Sequence, residues 1–369
     1  MVQTSDVIVI GAGMAGVSLA GRLAQHAKVT ILEAQPGPGT QATGRSAALL
    51  VCNYGNAVLR RINALAGSFL ADPAELGERS FLTPRGMLFF AGIGDIATFE
   101  SELARGDGLE RISSSDAVKM VPILRPDAVA AACLEPDAQD IDVDRMLNGF
   151  LRAARGHGAV LVNNAEVTAI NRTSNWQVEA GGNRYEAPIV VNAAGAWADQ
   201  VALMAGVAPL GLRALRRSAA LLPVPDDYDI THWPMMEPIT ESWYAKPVSG
   251  KLMVSPADAD PVAPMDAWPD DMVLAEGLDR FERSVTMPVT RVSHSWAGLR
   301  TFAPDDTPAV GFADQQDGFF WLAGQGGYGI QTAPVLSQLS CDLLRGITPS
   351  IAADLIVSLD PNRFTKDSL

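Results

Sequence analysis

The chain has 369 residues, of which 48% are hydrophobic and 19% are charged, a composition typical of a well-packed globular protein and not of a disordered one. This length exceeds what one simple core supports, so it predicts two domains. Lys and Arg total 28 against 42 Asp and Glu, and the resulting net charge of −14 argues against a broad nucleic-acid surface.

The first predicted elements form a βαβ unit. The apolar run SDVIVI at residues 5–10 is typical of a buried strand, and it leads into GAGMAG and a segment with apolar residues at helical spacing. The run KVTILEA at residues 28–34 supplies the second strand. This order is the one expected where a dinucleotide binds at the start of the helix.

Individual residues of this unit fit that role. Gly11 permits the tight turn, Gly13 lets the backbone approach a pyrophosphate, and Gly16 lets the helix pack closely on the strand. Glu33, at the end of the second strand, can accept hydrogen bonds from ribose hydroxyls. A glycine-rich turn without a ligand is the alternative interpretation, which the complete βαβ pattern disfavours.

Two further glycine-rich segments favour a long cofactor. GPGTQATGRSAA at residues 37–48 opens a helix-like stretch and offers Thr43, Gly44, Arg45 and Ser46 to phosphate or ring atoms, although a surface loop is the alternative. GFFWLAGQGGYGIQT at residues 318–332 predicts a buried strand, a turn and a helix start that can face a flavin ring.

In the middle of the chain, further strands and a helix are expected to join the sheet of the first βαβ unit. We expect an amphipathic helix over 140–157, a strand over 159–165, a hairpin around 181–182 and a strand from 188. The last of these, IVVNAAGAWA, ends in a small-residue turn of the kind that lies beside a cofactor in doubly wound folds.

Residues 81–92 and 210–292 have a different pattern. FLTPRGMLFFAG predicts a strand, and the later segment contains short strands rich in Pro, Met and aromatic residues, which predicts a mostly antiparallel sheet. Within HSWAGLRTFAPDDTPAVG, Arg300 is a permanent cation in an apolar setting and requires an anion. The following turn and strand are expected to carry the chain back to the cofactor region.

The positions of the cysteines and histidines argue against disulfides and metal sites. Cys52, Cys133 and Cys341 form no CxxC pair and are expected to be free thiols in a reducing compartment, and the four scattered histidines predict no metal site. No apolar stretch reaches membrane-span length, and no basic leader precedes a cleavable apolar core. We expect a cytoplasmic monomer or small homo-oligomer without a transmembrane segment, with peripheral membrane contact left open.

Several of these motifs together resemble a known family. VIVIGAGMAG, TGRSAA, VVNAAGAWA, RRSA, ESWYAKP, HSWAGLR and FFWLAGQGGYGIQT, in this order, resemble the D-amino-acid oxidase superfamily, most closely the FAD-dependent D-arginine dehydrogenase type. The resemblance implies an α/β fold in which a glutathione-reductase-type, Rossmann-like FAD-binding domain is interleaved with a mostly antiparallel α+β substrate domain. The domain boundaries we predict are 1–80, 140–209 and 292–369 for FAD, and 81–139 and 210–291 for substrate.

The resemblance also implies roles for individual residues. Arg217 and Arg300 would bind the substrate carboxylate, Tyr54 and Tyr244 would face the substrate, and the backbone of Gly327 would meet the amine. The expected FAD contacts, with the flavin held noncovalently, are Gly11, Gly13, Met14, Ala15, Gly16, Glu33, Ala34, Thr43, Gly44, Arg45, Ser46, Ala47, Val167, Ala194, Gly195, Trp197, Gly298, Gly326, Tyr328, Gly329, Ile330 and Gln331.

The residue types agree with this chemistry independently of the resemblance. A planar guanidinium fixes a carboxylate by two parallel hydrogen bonds, and the flavin itself accepts the hydride, so that the protein mainly orients and desolvates the substrate. Other interpretations remain: Arg217 and Arg216 as a surface charge pair, Tyr244 as packing, and Tyr54 on a plain lid. His294 is expected to be structural.

The chain departs from the resemblance at two places. Family members that prefer basic D-amino acids have a carboxylate in the segment matching LTPRGMLFF, where this chain has Gly86 and Met87, and a family histidine is replaced by Leu49. An unpaired cation in an apolar pocket is costly, so we expect preference for neutral, apolar D-amino acids over basic ones.

The expected activity is FAD-dependent oxidative deamination of D-amino acids to 2-oxo acids and ammonia, with oxygen, a quinone or another carrier as electron acceptor. Alternatives with the same fold are a secondary amine or imino acid, such as sarcosine or proline, and a 2-hydroxy acid. A flavin protein without turnover, or an NAD-binding protein, belongs to a different class.

Overall fold

The computed structural model describes residues 2–364, which contain 22 strands and nine α-helices. The strands are β1 (Val2–Thr4), β2 (Val7–Ile10), β3 (Val29–Leu32), β4 (Leu49–Leu50), β5 (Leu82–Pro84), β6 (Met87–Ala91), β7 (Glu110–Ile112), β8 (Ala131–Glu135), β9 (Gln139–Ile141), β10 (Val160–Val162), β11 (Val167–Arg172), β12 (Trp176–Ala180), β13 (Asn183–Ala187), β14 (Ile189–Asn192), β15 (Arg213–Leu222), β16 (Met235–Pro238), β17 (Tyr244–Val248), β18 (Lys251–Ser255), β19 (His294–Phe302), β20 (Ala309–Phe312), β21 (Phe319–Ala323) and β22 (Gln325–Gly326). The helices are α1 (Met14–Leu23), α2 (Ala57–Ala71), α3 (Ile96–Arg105), α4 (Ser114–Met120), α5 (Val143–Gly156), α6 (Ala198–Met204), α7 (Asp271–Ser284), α8 (Gly329–Leu344) and α9 (Ala353–Leu359).

A six-stranded sheet with the order β10-β3-β2-β14-β21-β20 forms the first layer. Its strands are parallel except for the edge pair β20 and β21. Val7 and Val9 face a core shared with helices α1, α5 and α8, whereas Ile8 and Ile10 face a second core shared with α6 and the sheet β1-β13-β12-β11. Both faces are covered, which explains why these parallel strands are continuously apolar in sequence.

A nine-stranded sheet with the order β22-β19-β15-β18-β17-β16-β6-β8-β7 forms the second unit. All neighbouring strands are antiparallel except β16 and β6. Alternate residues such as Leu88, Met236 and Val254 face a core that includes α7. Because side chains alternate across a strand, Met87, Met235 and Met253 lie on the opposite face, which covers the cavity described below.

The predicted α/β fold with a mostly antiparallel second unit is confirmed. The helix expected over 140–157 is α5, and the hairpin expected around 181–182 joins β12 to β13. The helix-like stretch of the TGRSAA segment is only a short 3₁₀ helix, Ala42–Arg45.

The domain boundaries stay a prediction, and β19 bears on one of them. It pairs along its whole length with β15, so the predicted boundary at residue 292 separates β19 from its own sheet. Residues 1 and 365–369, also assigned to the FAD-binding domain, lie outside the described residues. Across residues 2–364, none of the helices is long and apolar enough to cross a membrane.

Candidate functional site

A cavity of about 1190 Å³ runs from the carboxyl ends of β2 and β3 to the face of the nine-stranded sheet. Arg217, Arg300, Tyr244, Tyr54 and Gly327 all line it. Of the residues predicted to contact FAD, all except Gly16 and Gly44 also line it. The cavity therefore brings together predicted site residues from distant segments of the sequence.

The turn after β2 has a backbone that only glycine tolerates. Gly11 has a φ of 101°, and a Cβ there would lie 2.5 Å from the carbonyl oxygen of Ala193. A Cβ on Gly16 would lie 2.1 Å from the carbonyl oxygen of Gly11, so Gly16 serves the packing of α1 on the turn. Gly13 lines the cavity at the start of α1, where helix N–H groups lack intrahelical acceptors.

Glu33 and Thr43 complete this end of the cavity. One carboxylate oxygen of Glu33 accepts from the Ala12 N–H at 2.7 Å and the other from the Gln35 N–H at 2.8 Å, which fixes the acid at the end of β3. Thr43 Oγ1 accepts from the Met14 N–H at 3.0 Å, so its hydroxyl satisfies a donor of α1 from outside the helix. Thr43 therefore holds the loop onto α1.

Arg45 lines the cavity, but its guanidinium is already engaged. It donates to the carbonyl oxygen of Ala297 at 2.9 Å and of Ala267 at 3.1 Å, and it pairs with Asp266. A Cβ on Gly298 would lie 3.3 Å from the Cβ of Arg45, so this glycine admits the Ala42–Arg45 helix against the sheet. The Arg45 side chain thus ties the glycine-rich loop to β19.

The start of α8 lies at the other end of the cavity. Gly329 and Ile330 line the cavity in the first turn of the helix, where backbone N–H groups have no intrahelical acceptor. Gln331 is buried, and its Oε1 accepts from the Val51 N–H at 2.9 Å. Gln331 therefore positions the loop that carries Tyr54.

Arg300 and Arg217 lie on adjacent antiparallel strands and on the same face of the sheet. Arg217 is opposite Gly298 in the register and Arg300 is opposite Leu215, which makes the two arginines diagonal neighbours. Among the described residues, no carboxylate oxygen lies within 4.0 Å of either guanidinium. Two like charges in one cavity, without an anion between them, form a site for an anion.

The surroundings of Arg300 preserve its charge. Its Nη1 donates to the hydroxyl of Tyr54 at 3.2 Å. Burial opposes the charge, but Tyr54 and Tyr244 outweigh that effect and raise the pKa of Arg300 above its usual value. A Cβ on Gly327 would lie 3.1 Å from the same Nη1, so a larger residue at 327 would press on the guanidinium.

Arg216 and Arg217 have separate environments. Arg216 lies 3.1 Å from Asp260, 3.7 Å from Asp270 and 3.8 Å from Asp258. Arg217 donates from Nε to the carbonyl oxygen of Asp258 at 2.6 Å and lies 5.8 Å from the centre of the Tyr244 ring. Only Arg217 lines the cavity, so the two arginines do not form a surface charge pair.

Glu135, which the sequence analysis does not single out, holds the loop that carries Tyr54. It is buried at the end of β8 and accepts from the Cys52 N–H at 2.8 Å, the Asn53 N–H at 3.4 Å and the Asn53 side-chain amide at 3.0 Å. Three consecutive residues before Tyr54 are thereby held, Val51 by Gln331 and Cys52 and Asn53 by Glu135 of the nine-stranded sheet. No sequence motif marks this acid, because its partners are 82 and 83 residues away.

Glu237 is a second acid that the sequence analysis does not single out, and it faces the cavity. It is aligned with Phe89 on the parallel strand β6, and the register of β16 and β17 places it opposite Tyr244. The segment matching LTPRGMLFF has no acid, but the neighbouring strand contributes Glu237 to the cavity, so the pocket is not wholly apolar. No alternating pattern marks this acid, because Met235, on the same face of the strand, is apolar.

The cavity lining contains the further acids Glu102, Glu166, Glu241 and Asp306, but its basic side chains are all arginines. No histidine or lysine of residues 2–364 lines it, and Lys246, on β17, is bound 2.5 Å from Asp140. Cys133 lines the cavity, but burial raises the pKa of its thiol to about 11, so it stays protonated. The three cysteines are free, and the described His, Cys, Asp and Glu side chains form no group of three or more suited to a metal ion.

The family model described as DAO, FAD dependent oxidoreductase, matches residues 6–343. The chain belongs to the DAO family of FAD-dependent oxidoreductases. Its membership makes FAD the cofactor of this protein, and the D-amino-acid oxidase superfamily expected from the sequence is confirmed at this level.

Curated relatives of this DAO-family chain differ in length. Glycine oxidase of Geobacillus kaustophilus is 25% identical over 376 residues, covering 93% of this chain and 94% of that protein. Human mitochondrial dimethylglycine dehydrogenase is 28% identical over 279 residues, and the match spans 67% of this chain but only 30% of the human protein. The crystal structure of the Geobacillus glycine oxidase has a TM-score of 0.84 at 21% identity, covering 96% and 98% of the two chains, which shows a common fold.

The residues of this DAO-family chain fit FAD. The cavity is long, begins at a glycine turn with free helix N–H groups and a strand-end acid, and ends at the N-terminus of α8. A flavin at that end would supply the hydride acceptor beside Arg300 and Gly327.

Proposed function

We propose that the protein oxidises the amine of a carboxylate-bearing amine, with D-amino acids as the first candidate substrates. The substrate gives up a hydride from its α-carbon to the flavin and a proton from its nitrogen, and water then converts the 2-imino acid to a 2-oxo acid and ammonia. This proposal keeps the activity that the D-amino-acid dehydrogenase resemblance implies.

One observation supports the proposal above all others: Arg300 and Arg217 line one cavity, and no carboxylate oxygen of the described residues lies within 4.0 Å of either guanidinium. A bidentate carboxylate would satisfy the Arg300 guanidinium, while Tyr54 and Tyr244 would enclose it from the sides. Because these groups hold the substrate and exclude water, the chain contributes orientation and electrostatics to the reaction. Noncovalent binding of the flavin also remains part of the proposal.

The curated relatives favour a second candidate class. Glycine oxidase and dimethylglycine dehydrogenase are named for small amino acids that carry the same carboxylate, one of them with a substituted nitrogen. The two arginines can bind the carboxylate of either substrate class equally well. Selection between D-amino acids and small or N-substituted amino acids therefore depends on the rest of the pocket.

A substrate panel tests the proposal. The purified protein is mixed anaerobically with D- and L-amino acids, sarcosine, dimethylglycine, proline and 2-hydroxy acids, and bleaching of the flavin absorbance is followed. We expect fastest bleaching with D-amino acids; fastest bleaching with sarcosine or dimethylglycine would transfer the proposal to N-substituted glycines, and bleaching only by hydroxy acids would overturn it. Repetition in air and with an artificial acceptor separates oxidase from dehydrogenase activity.

Glu135→Ala is expected to raise KM for the carboxylate substrate by roughly tenfold while FAD remains bound, because three donors of the Tyr54 loop lose their acceptor. Steady-state kinetics and flavin content measure both effects. Glu135→Gln retains an acceptor oxygen and should restore much of the affinity. Equal KM values in all three proteins would show that Gln331 and Asn63 hold the loop without Glu135.

A further inference from the structure

Glu237 is a cavity-lining acid without a binding partner. No donor among the described residues lies within hydrogen-bond reach of its carboxyl group, although it shares the cavity with Arg217 and Arg300. Glu237 is half-buried in the cavity wall, where a donor or cation of a bound ligand would give its carboxyl group a partner. The missing partner is therefore to be sought in the ligand.

The position of Glu237 separates it from the carboxylate site. Two strands, β18 and β17, lie between β15, which carries Arg217, and β16, which carries Glu237, so the two backbones are roughly 14 Å apart. Arg217 extends towards the Tyr244 ring and thus partly bridges this gap. The ammonium of a 2-amino acid is attached next to its carboxylate and stays near the arginines, so a group that meets Glu237 belongs to the substrate side chain.

The charge of Glu237 depends on its surroundings. Burial raises the pKa of Glu237 to about 8; Glu241 adds to the rise, and Arg217 and Arg300 oppose it. The other groups on the adjacent strands are Tyr244 on β17 and the apolar Met87 and Phe89 on β6, while Lys246 is engaged by Asp140. The carboxyl group is thus mostly neutral at pH 7 and mostly ionised at pH 9.

We propose that Glu237 selects the charge of the substrate side chain: protonated, it accepts neutral side chains, and ionised, it binds a side chain with a positively charged nitrogen. This inference rests on the proposed function and replaces a fixed preference for neutral substrates with one that depends on pH. Binding of a cationic side chain at neutral pH would release the proton of Glu237 to solvent.

D-Arginine and D-citrulline provide a matched pair of substrates to test this selection. They have closely similar shapes, and the guanidinium stays charged over the whole pH range used. Their α-amines and carboxylates titrate alike, so the ratio of their kcat/KM values isolates the response to side-chain charge. That ratio is measured with the FAD-loaded protein between pH 6.5 and pH 9.

We expect the ratio of D-arginine to D-citrulline kcat/KM to rise roughly ten- to thirtyfold with pH and to level off above about pH 8, since kcat/KM reports ionisation of the free enzyme. Glu237→Gln should remove the rise. Glu241→Gln is the control that removes a second acid of the cavity wall; it should retain the rise but shift it to lower pH, because Glu241 adds to the raised pKa of Glu237.

Two results would overturn the inference. A ratio independent of pH in the unaltered protein, while D-citrulline is oxidised, would refute it and leave the proposed function intact, as would an equal rise in Glu237→Gln. Failure of every 2-amino acid to bleach the flavin would refute both. Proton release on mixing with D-arginine, measured with a pH indicator at pH 7, gives an independent readout and should be lost in Glu237→Gln.

Discussion

Arg300→Met leaves FAD bound and lowers kcat/KM for a carboxylate-bearing amine by roughly 10²-fold or more, equivalent to about 3 kcal/mol of transition-state stabilisation. Methionine approximates the length of the arginine stem and removes the charge and the planar pair of donors. The Tyr54 hydroxyl loses its partner in the same change, but the Tyr54 carbonyl oxygen still accepts from the side-chain amide of Asn63 on α2. Steady-state kinetics with the best substrate measure the loss of kcat/KM, and the flavin released per protein chain measures whether FAD stays bound.

Arg300→Lys distinguishes charge from geometry. Lysine keeps one positive charge but presents no fork, so it should recover only part of the lost kcat/KM. Unchanged kinetics in Arg300→Met, or loss of FAD with retained turnover by the remaining holoenzyme, would identify Arg300 as a structural residue. In that case Arg217 alone would have to bind the carboxylate.

Gly11→Ala is expected to abolish FAD binding and to destabilise the fold by about 2–4 kcal/mol. The backbone at residue 11 has a φ of 101°, and the new Cβ would lie 2.5 Å from the Ala193 carbonyl oxygen. Both obstacles involve main chain that cannot rotate away. Flavin absorbance of the purified protein and its thermal unfolding midpoint show the effect.

Gly37→Ala is the matched control for this change. Its Cβ would meet no atom within 4 Å, and the residue opens the second glycine-rich segment, residues 37–48. It should bind FAD as the unaltered protein does. Normal flavin content in Gly11→Ala would mean that the turn after β2 can shift, and the cofactor site would then depend mainly on the second glycine-rich end at α8.

The cofactor half of the molecule was predictable because its signals are local. SDVIVI, GAGMAG and KVTILEA each determine a strand, a turn or a helix within a few residues, and the distances between them fit one βαβ unit. Backbone strain at Gly11 also follows from the motif, since a turn into a helix start at this distance from a strand requires glycine.

The substrate half was less predictable because its contacts are between distant segments. Whether Arg216 or Arg217 faces the cavity depends on a one-residue register in β15, and a slip of one residue would exchange them. Glu237 lies in the short strand β16, whose parallel pairing with β6 joins Met235 to Met87 across more than a third of the chain and leaves no trace in either segment alone. The roles of Gln331 and Thr43 in holding loops likewise depend on tertiary placement.

The order of strands in the nine-stranded sheet has a consequence for how the protein can diversify. The pair β15 and β19 shares no backbone hydrogen bond with the pair β16 and β6, since β18 and β17 stand between them. Mutations at residues 87, 89, 235 and 237 can therefore be sampled while the anion-binding strands keep their register. New substrate ranges are accessible by a few substitutions in β6 and β16, while β15 and β19 keep the two arginines in place.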